Sequence, residues 1–279
     1  MAETPRSLVL NLFGDYLRYA GGEAKLGELT ELMAAFGMEP GTVRVSMSRL
    51  RQEGWFTTRR DGRETVYALS DRMLDILVNG RPRIFRRKEE PWSGRWTMVI
   101  YQVPESDRPV REQLRKQLAW TGFGQLSPST WLAPHDLASE AKEIASRHGS
   151  ARVNVLWCGS HGTEAARELA ARCWDLESLS RDYTDFLSSH AHLDDARSNS
   201  AKDGKQALVE RTRITDEFRR FPFRDPELPR ELQPRDWPGA AAFSLFSRAH
   251  EQLGPRARSF VEEVIGRSIP AIIDGTCNK

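Results

Sequence analysis

One predicted helix carries a face made only of cations and hydroxyls. The run from Thr42 to Glu53 places Val43, Met47 and Leu50 at positions i, i+4 and i+7, an apolar stripe that would face a core. The remaining face holds Thr42, Arg44, Ser46, Ser48, Arg49 and Arg51. An ordinary solvated helix mixes both signs of charge, but this one has no acid before Glu53. Cations and hydroxyls bond to phosphate oxygens and base edges, so the pattern predicts a helix that contacts DNA.

Further helices are predicted on both sides of this basic helix. They are Ser7–Tyr19, Ala24–Phe36, which Gly37 ends, and Asp71–Asn79, which Gly80 ends. The segment between Gly37 and Thr42 contains Pro40, which is tolerated in the first turn of a helix because its missing N–H has no intrahelical partner to lose. These signals predict a helix-turn-helix whose second helix is the basic one.

A hairpin is predicted directly after the basic helix. Gly54 ends that helix, and residues 55–69 form two strands around Asp61-Gly62, a pair that favours a type I′ turn. Three arginines crowd the hairpin tip, where a wing would meet phosphates or the minor groove: Arg59, Arg60 and Arg63. Helix, turn, helix and hairpin in this order predict a winged helix-turn-helix. The alternative is a basic surface helix beside an unrelated hairpin.

The charge distribution places the basic excess in the same part of the chain. Residues 1–88 hold 15 Lys or Arg against 11 Asp or Glu, whereas the remaining residues hold 26 against 28. No apolar run approaches the roughly 18 residues of a membrane span, and the first residues show no signal-peptide pattern. The three cysteines are too few and too scattered for a disulfide framework or a C-x-x-C zinc site. We therefore expect a cytoplasmic protein without a metal or cofactor.

The middle of the chain alternates strands and helices. The predicted elements are a strand over Thr97–Val103, a helix over Val110–Thr121, strands over Gly124–Leu126 and Ser129–Ala133, a helix over Leu137–His148 and a strand over Arg152–Cys158. This βαββαβ order is that of a ferredoxin-like domain, which we place at residues 96–160. A basic linker, residues 81–95, would join it to a winged helix-turn-helix domain at residues 1–80.

The rest of the chain, residues 163–270, is predicted to be a helical domain. Helical periodicity begins at Thr163, and a helix over Asp203–Arg220 ends before a loop with five prolines. Helices over Ala240–Leu253 and Arg256–Gly266 follow, and about ten C-terminal residues are expected to fray. The predicted fold class is therefore α+β, with winged helix-turn-helix, ferredoxin-like and helical domains in that order.

The proline-rich loop and its flanks hold a second group of residues that could bind a ligand. The group consists of Arg219, Arg220, Phe221, Phe223 and Trp237. Arginines suit the phosphates of a nucleotide, and aromatic rings stack on a base or an aryl group. The alternative is that this loop packs as a rigid lid between helices, without a ligand.

Three segments give the chain its resemblance to a known family, the PaaX-like regulators, also called the phenylacetate-degradation repressor family. They are residues 41–55 in and after the basic helix, residues 92–96 at the entry to the first middle strand, and residues 218–229 with 236–239 near the C-terminus. The resemblance spans nearly the whole chain. The last segment, which begins Phe-Arg-Arg-Phe-Pro-Phe-Arg-Asp-Pro, is the most specific of the three.

The resemblance implies a cytoplasmic bacterial transcriptional repressor that is not an enzyme. Such repressors are usually homodimers that bind double-stranded operator DNA. Founding members release DNA when phenylacetyl-CoA binds, so the implied effector is a small molecule such as an acyl- or aryl-CoA thioester. In this chain, Arg44, Ser48 and Arg49 are our candidates for base contact. Phosphate contacts are expected from Thr42, Ser46, Arg51 and the hairpin arginines.

A metal-dependent nuclease is the competing hypothesis, because the family's middle domain is related to a CRISPR-associated nuclease subunit. Such nucleases hold a divalent metal with carboxylates at the end of the first strand. Here that strand is followed by Pro104 and Glu105, with Asp107 beyond. Proline stands where the acid is expected, so we predict no catalytic or metal-binding residue. We also interpret Cys158 and His161 as part of a strand end and turn rather than as a metal site, because no second pair has the required spacing.

Overall fold

The computed structural model describes residues 4–87 and 90–270, and their contacts form two compact units. The first unit comprises the chain up to Arg86, Phe186–Arg219 and the chain from Ala241, and the second comprises Arg87–Asp185 and Arg220–Ala240. Helices and two antiparallel sheets make this an α+β protein. No helix in the described part of the chain is both long enough and apolar enough to cross a membrane.

The helices and strands are numbered in chain order. The α-helices are α1 (Pro5–Asp15), α2 (Leu26–Ala34), α3 (Pro40–Gln52), α4 (Asp71–Phe85), α5 (Arg108–Thr121), α6 (Ala138–Ser146), α7 (Gly162–Cys173), α8 (Leu176–Ser189), α9 (Ala196–Ala201), α10 (Gly204–Phe218) and α11 (Gly239–Ile265). The strands are β1 (Glu23–Lys25), β2 (Phe56–Asp61), β3 (Glu64–Leu69), β4 (Trp96–Gln102), β5 (Gly124–Ser127), β6 (Thr130–Ala133) and β7 (Arg152–Cys158).

Local capping explains where several helices of the first unit begin. The side chain of Thr4 accepts a hydrogen bond from the Ser7 N–H before α1, and the side chain of Ser70 accepts one from the Met73 N–H before α4. Helix α3 begins at Pro40, whose fixed φ suits a first helical position. The strand order in this unit is β1-β3-β2, with both pairs antiparallel.

Two parts of the predicted DNA-binding segment differ from the structure. Ala24 and Lys25 were predicted to start a helix, but they lie in β1, where backbone pairing with Tyr67 and Val66 holds them. The hairpin turn also lies one residue further on, because Asp61 pairs with Glu64 and leaves Gly62 and Arg63 as the loop. Gly62 has φ +60° whereas Arg63 has no positive φ, as a type II′ turn requires, so the predicted type I′ turn is wrong.

Two helices continue past the residues predicted to end them. Helix α4 passes through Gly80 to Phe85, whose ring packs on Phe246 and His250, so the predicted linker at 81–95 begins inside a helix. Helix α11 is a single helix of 27 residues that passes through Pro255. Its buried residues recur every four positions across that proline, and packing of this stripe outweighs the proline's missing N–H: Ala249, Leu253, Ala257, Val261 and Ile265. The final residues that were expected to fray, from 271 on, lie outside the described part.

The second unit is built on the four-stranded sheet β5-β6-β4-β7, in which all neighbours are antiparallel. One face buries Val99 and Tyr101 against Leu114 and Leu118 of α5 and Ile144 of α6. The other face packs on α7 and the proline-rich loop, in a cluster that contains Trp96, Leu132, Ala166, Leu228 and Leu232. Because successive residues of a strand point to opposite faces, β4 supplies side chains to both clusters.

Gly124 in β5 is required by a close approach within the second unit. A Cβ atom at this position would lie 2.4 Å from the Trp174 ring and 2.7 Å from the Cys173 Cβ atom, at the end of α7. Trp174 in turn stacks on the fully buried ring of Trp96, whose indole N–H donates to the Ser160 hydroxyl. Tight packing of this helix end on the sheet therefore excludes any side chain at 124.

A buried ionic cluster joins four helices of the first unit. The carboxylate of Asp15, at the end of α1, lies 3.0 Å from Arg81 Nη1 of α4, 3.3 Å from His250 Nε2 of α11 and 3.6 Å from Arg211 Nη1 of α10. Arg211 also donates to the Tyr16 hydroxyl at 2.6 Å and to the His250 carbonyl at 2.9 Å. Burial alone would raise the pKa of Asp15, but the charge of Arg211 and the other partners hold it below its usual range.

The same cluster gives His250 an unusual protonation equilibrium. Burial, followed by the positive charge of Arg211, lowers the pKa of His250 from 6.5 to about 4. The unfolded chain therefore binds more protons than the folded chain between these two pH values, and stability falls as pH falls through that window. The pairing of Asp15, by contrast, is lost only below its usual pKa of 3.8.

Replacing His250 by glutamine tests this protonation difference. The pKa difference of His250 corresponds to roughly 3 kcal/mol of stability lost on acidification from about pH 6.5 to about pH 4. We expect the stability of His250→Gln to depend less steeply on pH by that amount, as measured by urea unfolding across the window. His192→Gln, which replaces an exposed histidine outside the cluster, is the control substitution. Parallel pH profiles for wild type and His250→Gln would contradict the assignment.

Candidate DNA interface

Helix α3 buries one stripe and exposes the rest, as its periodicity predicts. The side chains of Val43 and Met47 are 0% exposed and that of Leu50 is 2% exposed. Gly54 ends the helix with φ +78°, and the Trp55 N–H donates to the Leu50 carbonyl. Because the helix is fixed along its apolar stripe, its opposite face stays accessible.

The accessible face of α3 contains all six residues predicted for it. Thr42, Arg44, Arg49 and Arg51 are exposed, and Ser46 and Ser48 are half-buried. The Ser46 hydroxyl donates to the Thr42 carbonyl, which leaves its lone pairs available as acceptors. One residue of this face was missed in the sequence, Val45, which is 65% exposed. Its position between Arg44 and Ser46 could have identified it in the sequence as a residue of the accessible face.

Trp55, directly after α3, lies between two arginines of the first unit. The guanidinium groups of Arg6 and Arg72 lie 5.1 and 5.2 Å from its ring. Its indole N–H donates to Glu53, which also forms an ion pair with Arg6 at 2.7 Å. Sequence reasoning did not find this cluster, because Arg6 is distant along the chain.

The hairpin arginines have different surroundings. Arg59 forms a two-pronged ion pair with Glu23 of β1, with Nη2–Oε1 at 2.6 Å and Nε–Oε2 at 3.3 Å. Arg60 and Arg63 are exposed near the tip, where Arg60 Nη1 lies 3.5 Å from the Arg63 carbonyl. Lys25 of β1 lies 3.5 Å from Asp61 and 3.4 Å from Glu64. The hairpin therefore carries acids as well as cations, and β1 supplies Glu23 opposite Arg59 and Lys25 opposite Asp61 and Glu64.

The five residues predicted to bind a ligand are divided between the two units. Arg219 belongs to the first unit, where it forms an ion pair with Asp216 at 2.8 Å. The others belong to the second unit. There the Phe221 ring stacks on Tyr183 with centroids 4.0 Å apart, and the Trp237 ring meets the same tyrosine edge-on at 5.8 Å.

The remaining aromatic residue of that group is partly exposed. The Phe223 ring is 43% exposed and stacks on Trp120, which is 60% exposed, with centroids 4.9 Å apart. A separate cavity of about 340 Å³ lies in the first unit. It is lined by Leu187, Ala191, Asp194, Ala241, Ser244, Leu245 and Arg248. None of the five predicted residues lines this cavity.

The groups considered for nuclease or thiol chemistry have ordinary partners. Glu105 forms a bidentate ion pair with Arg111, at 2.9 and 3.0 Å. Burial raises the pKa of the Cys158 thiol, and it raises that of Cys173 to about 11, which disfavours the reactive thiolate. Within residues 4–87 and 90–270, no group of three or more His, Cys, Asp or Glu side chains could hold a metal ion.

Comparisons with known proteins match the chain along nearly its full length. Family models match residues 4–73 (PaaX-like protein), 89–170 (PaaX protein central Cas2-like domain) and 174–263 (PaaX-like protein C-terminal domain). The transcriptional repressor PaaX of Escherichia coli (strain K12) is 30% identical over 264 residues, which are 92% of this chain and 83% of that protein. The uncharacterized protein Rv0674 from Mycobacterium tuberculosis is a structural match with 28% identity and a TM-score of 0.65, covering 93% of this chain and 99% of that one.

The chain therefore belongs to the PaaX-like family, and the resemblance predicted from the sequence is confirmed. The match to the curated repressor covers 92% of this chain, so it extends over all three matched segments. The three family models follow one another along the chain with short gaps between them.

Two substitutions in α3 test which face of the helix packs in the core. Met47→Ala removes a fully buried side chain and should cost about 2–5 kcal/mol of unfolding free energy, measured by urea denaturation. Val45→Ala, its neighbour on the exposed face, should leave stability within about 0.5 kcal/mol of wild type. Equal losses from both substitutions would show that the helix is oriented differently.

Proposed function

We propose that this protein is a transcriptional repressor that binds double-stranded operator DNA through α3 and the β2–β3 hairpin. The observation that carries the proposal is the exposed face of α3, which holds three arginines, a threonine and two serines but no acid. Base contact is proposed for Arg44, Ser48 and Arg49. Phosphate contact is proposed for Thr42, Ser46, Arg51, Arg59, Arg60 and Arg63. The curated relative is named a transcriptional repressor, which supports the same function here.

The arrangement of elements supports a winged helix-turn-helix for the segment up to about residue 80. Helices α1, α2 and α3 precede the β2–β3 hairpin, and β1 adds a third strand. In this class the second helix of the helix-turn-helix enters the major groove. Val45 would then present a methyl-bearing side chain, of the kind that contacts the thymine methyl group.

The middle sheet supports a ferredoxin-like domain at residues 96–160. Its strands and helices follow the order βαββαβ, and its central strands are the first and third of the four. We keep residues 163–270 as a proposed helical domain. Phe186–Arg219 and the chain from Ala241 belong to the same compact unit as the N-terminal segment. The proposed helical domain is therefore not a compact unit by itself.

We further propose a cytoplasmic homodimer that is released from DNA by a small molecule. A dimer would present two α3 helices to successive major-groove turns of a near-palindromic operator. The family implies an acyl- or aryl-CoA thioester as effector and phenylacetate catabolism as the regulated process. The effector can shift the equilibrium between the DNA-binding state and the released state of the dimer only by the difference between its affinities for these two states. Arg219, Arg220, Phe221, Phe223 and Trp237 remain the proposed effector residues, although the stacking of Phe221 on Tyr183 favours the rigid-lid alternative.

Replacement of Arg49 by alanine tests base recognition. DNA selected by the wild-type protein from a random duplex pool supplies the probe, and affinity is measured by fluorescence anisotropy. Loss of a bidentate base contact should cost about 1–3 kcal/mol and relax the base preference at one position. Arg256→Ala, which removes an exposed arginine of α11, should keep wild-type affinity. A folded Arg49→Ala protein with unchanged affinity and preference would remove Arg49 from the interface.

Incubation of labelled duplex with Mg²⁺ or Mn²⁺ separates this proposal from a nuclease. A repressor should shift the labelled duplex in a gel and leave it intact, because Pro104 and the Arg111-paired Glu105 provide no metal-binding strand end. Metal-dependent cleavage that is lost in Glu105→Gln would favour the nuclease.

A further inference from the structure

The chain turns back on the N-terminal segment directly after α11. Gly266 has φ +63°, and its N–H donates to the Glu262 carbonyl at the helix end. Three residues later Ile269 is buried, with 4% exposure, and its N–H donates to Glu262 Oε1 at 2.6 Å. We call Gly266–Ile269 the clasp. It follows residue 263, where the match to the C-terminal family model ends.

Arg267 of the clasp binds three acceptors in the N-terminal segment. Its Nη1 donates to the Ala20 carbonyl at 3.2 Å, and its Nη2 donates to the Glu23 carbonyl at 3.1 Å and to Glu28 Oε2 at 3.0 Å. Glu28 Oε2 also accepts the Lys25 N–H at 2.9 Å. A planar guanidinium with several fixed donors suits such a divided set of acceptors better than an ammonium group does. Arg267 therefore binds the backbone of the first residue of β1 directly and that of the last residue through the Glu28 carboxylate.

Strand β1 in turn holds the hairpin from its other side. Its backbone pairs with β3, with Glu23 opposite Ala68 and Lys25 opposite Val66. Its two charged side chains reach further along the hairpin. Glu23 binds Arg59 of β2, and Lys25 lies near Asp61 and Glu64 at the tip. Movement of the β1 backbone would therefore displace the hairpin arginine and both acids of the tip.

We propose that Arg267 is a positioning residue for the hairpin, acting through β1 on the direction in which Arg59 and the tip are presented. This inference rests on the proposed function, in which the hairpin meets the DNA backbone. The guanidinium of Arg267 binds the backbone carbonyl of Glu23, and the side-chain carboxylate of Glu23 binds Arg59. One residue of β1 thus transmits the position of the α11 end to the hairpin.

The salt dependence of DNA binding separates positioning from mere loss of stability. The slope of log K against log salt counts the phosphates neutralised, whereas partial unfolding lowers the active fraction without changing that slope. With a fluorescent duplex of mixed sequence as probe, we expect Arg267→Gln to reduce the slope by about one. In an Arg59→Ala background, Arg267→Gln should cause a smaller further reduction, because both changes act on the same contact. Arg256→Gln, which removes an α11 arginine bound to the Lys202 carbonyl instead, should keep the wild-type slope.

Amide hydrogen exchange gives a second readout that needs no DNA. Arg267→Gln should raise exchange in peptides that contain β1 and the β2–β3 hairpin, while peptides from α10 keep wild-type protection. An unchanged slope together with unchanged exchange in the hairpin would overturn the role of Arg267. Failure of the wild-type protein to bind the duplex at low salt would instead overturn the proposed function, and hydrogen exchange would then still decide whether Arg267 positions the hairpin.

Discussion

Asp15 ends helix α1 with a carboxylate whose side chain is 7% exposed, and two arginines and a histidine converge on it from α4, α10 and α11. A buried charge is tolerated only where partners replace the water that it has lost. Removing Asp15 would leave the buried charges of Arg81 and Arg211 uncompensated, and Arg211 also binds the His250 carbonyl, so the cluster constrains all four helices together. Helix α1 is bound to α10 a second time, because Ser7 and Asn11 both donate to Asp216. Helices α10 and α11, which come late in the chain, therefore help to hold α1 in the compact unit that also contains α3.

Elements with strong local signals could be predicted from the sequence. The stripe of Val43, Met47 and Leu50 identified the buried face of α3, and the β-branched run in β4 identified a buried strand. The bounds predicted for β7 agree with those observed. Hydrophobic periodicity and turn residues depend only on positions that are close together along the chain, so a single sequence is enough to recognise them. For the same reason the exposed residues of the candidate interface could be named in advance, whereas their contact with DNA remains a proposal.

Other features depend on contacts between distant residues, which a local pattern does not contain. Gly80 was predicted to stop α4, but Arg81 and Phe85 each find a partner in the core, and these contacts extend the helix. The ion pair between Arg59 and Glu23 depends on β1, a strand of three residues that is too short to give a periodic signal. Two helices, Ala240–Leu253 and Arg256–Gly266, were predicted where the structure has the single helix α11. The buried stripe that continues on both sides of Pro255 was visible in the sequence and indicates one helix.

The discontinuous first unit has a consequence for how the chain is made. During synthesis the N-terminal segment leaves the ribosome first, but His250 follows Asp15 by 235 positions and Arg267 follows Ala20 by 247. Contacts between such distant positions form late, because closing a long loop costs entropy before any contact is gained. A nascent or truncated chain thus holds α3 and the hairpin without the residues that fix them. The order of α3 and the hairpin therefore depends on contacts that form only once the C-terminal residues of the chain have been made.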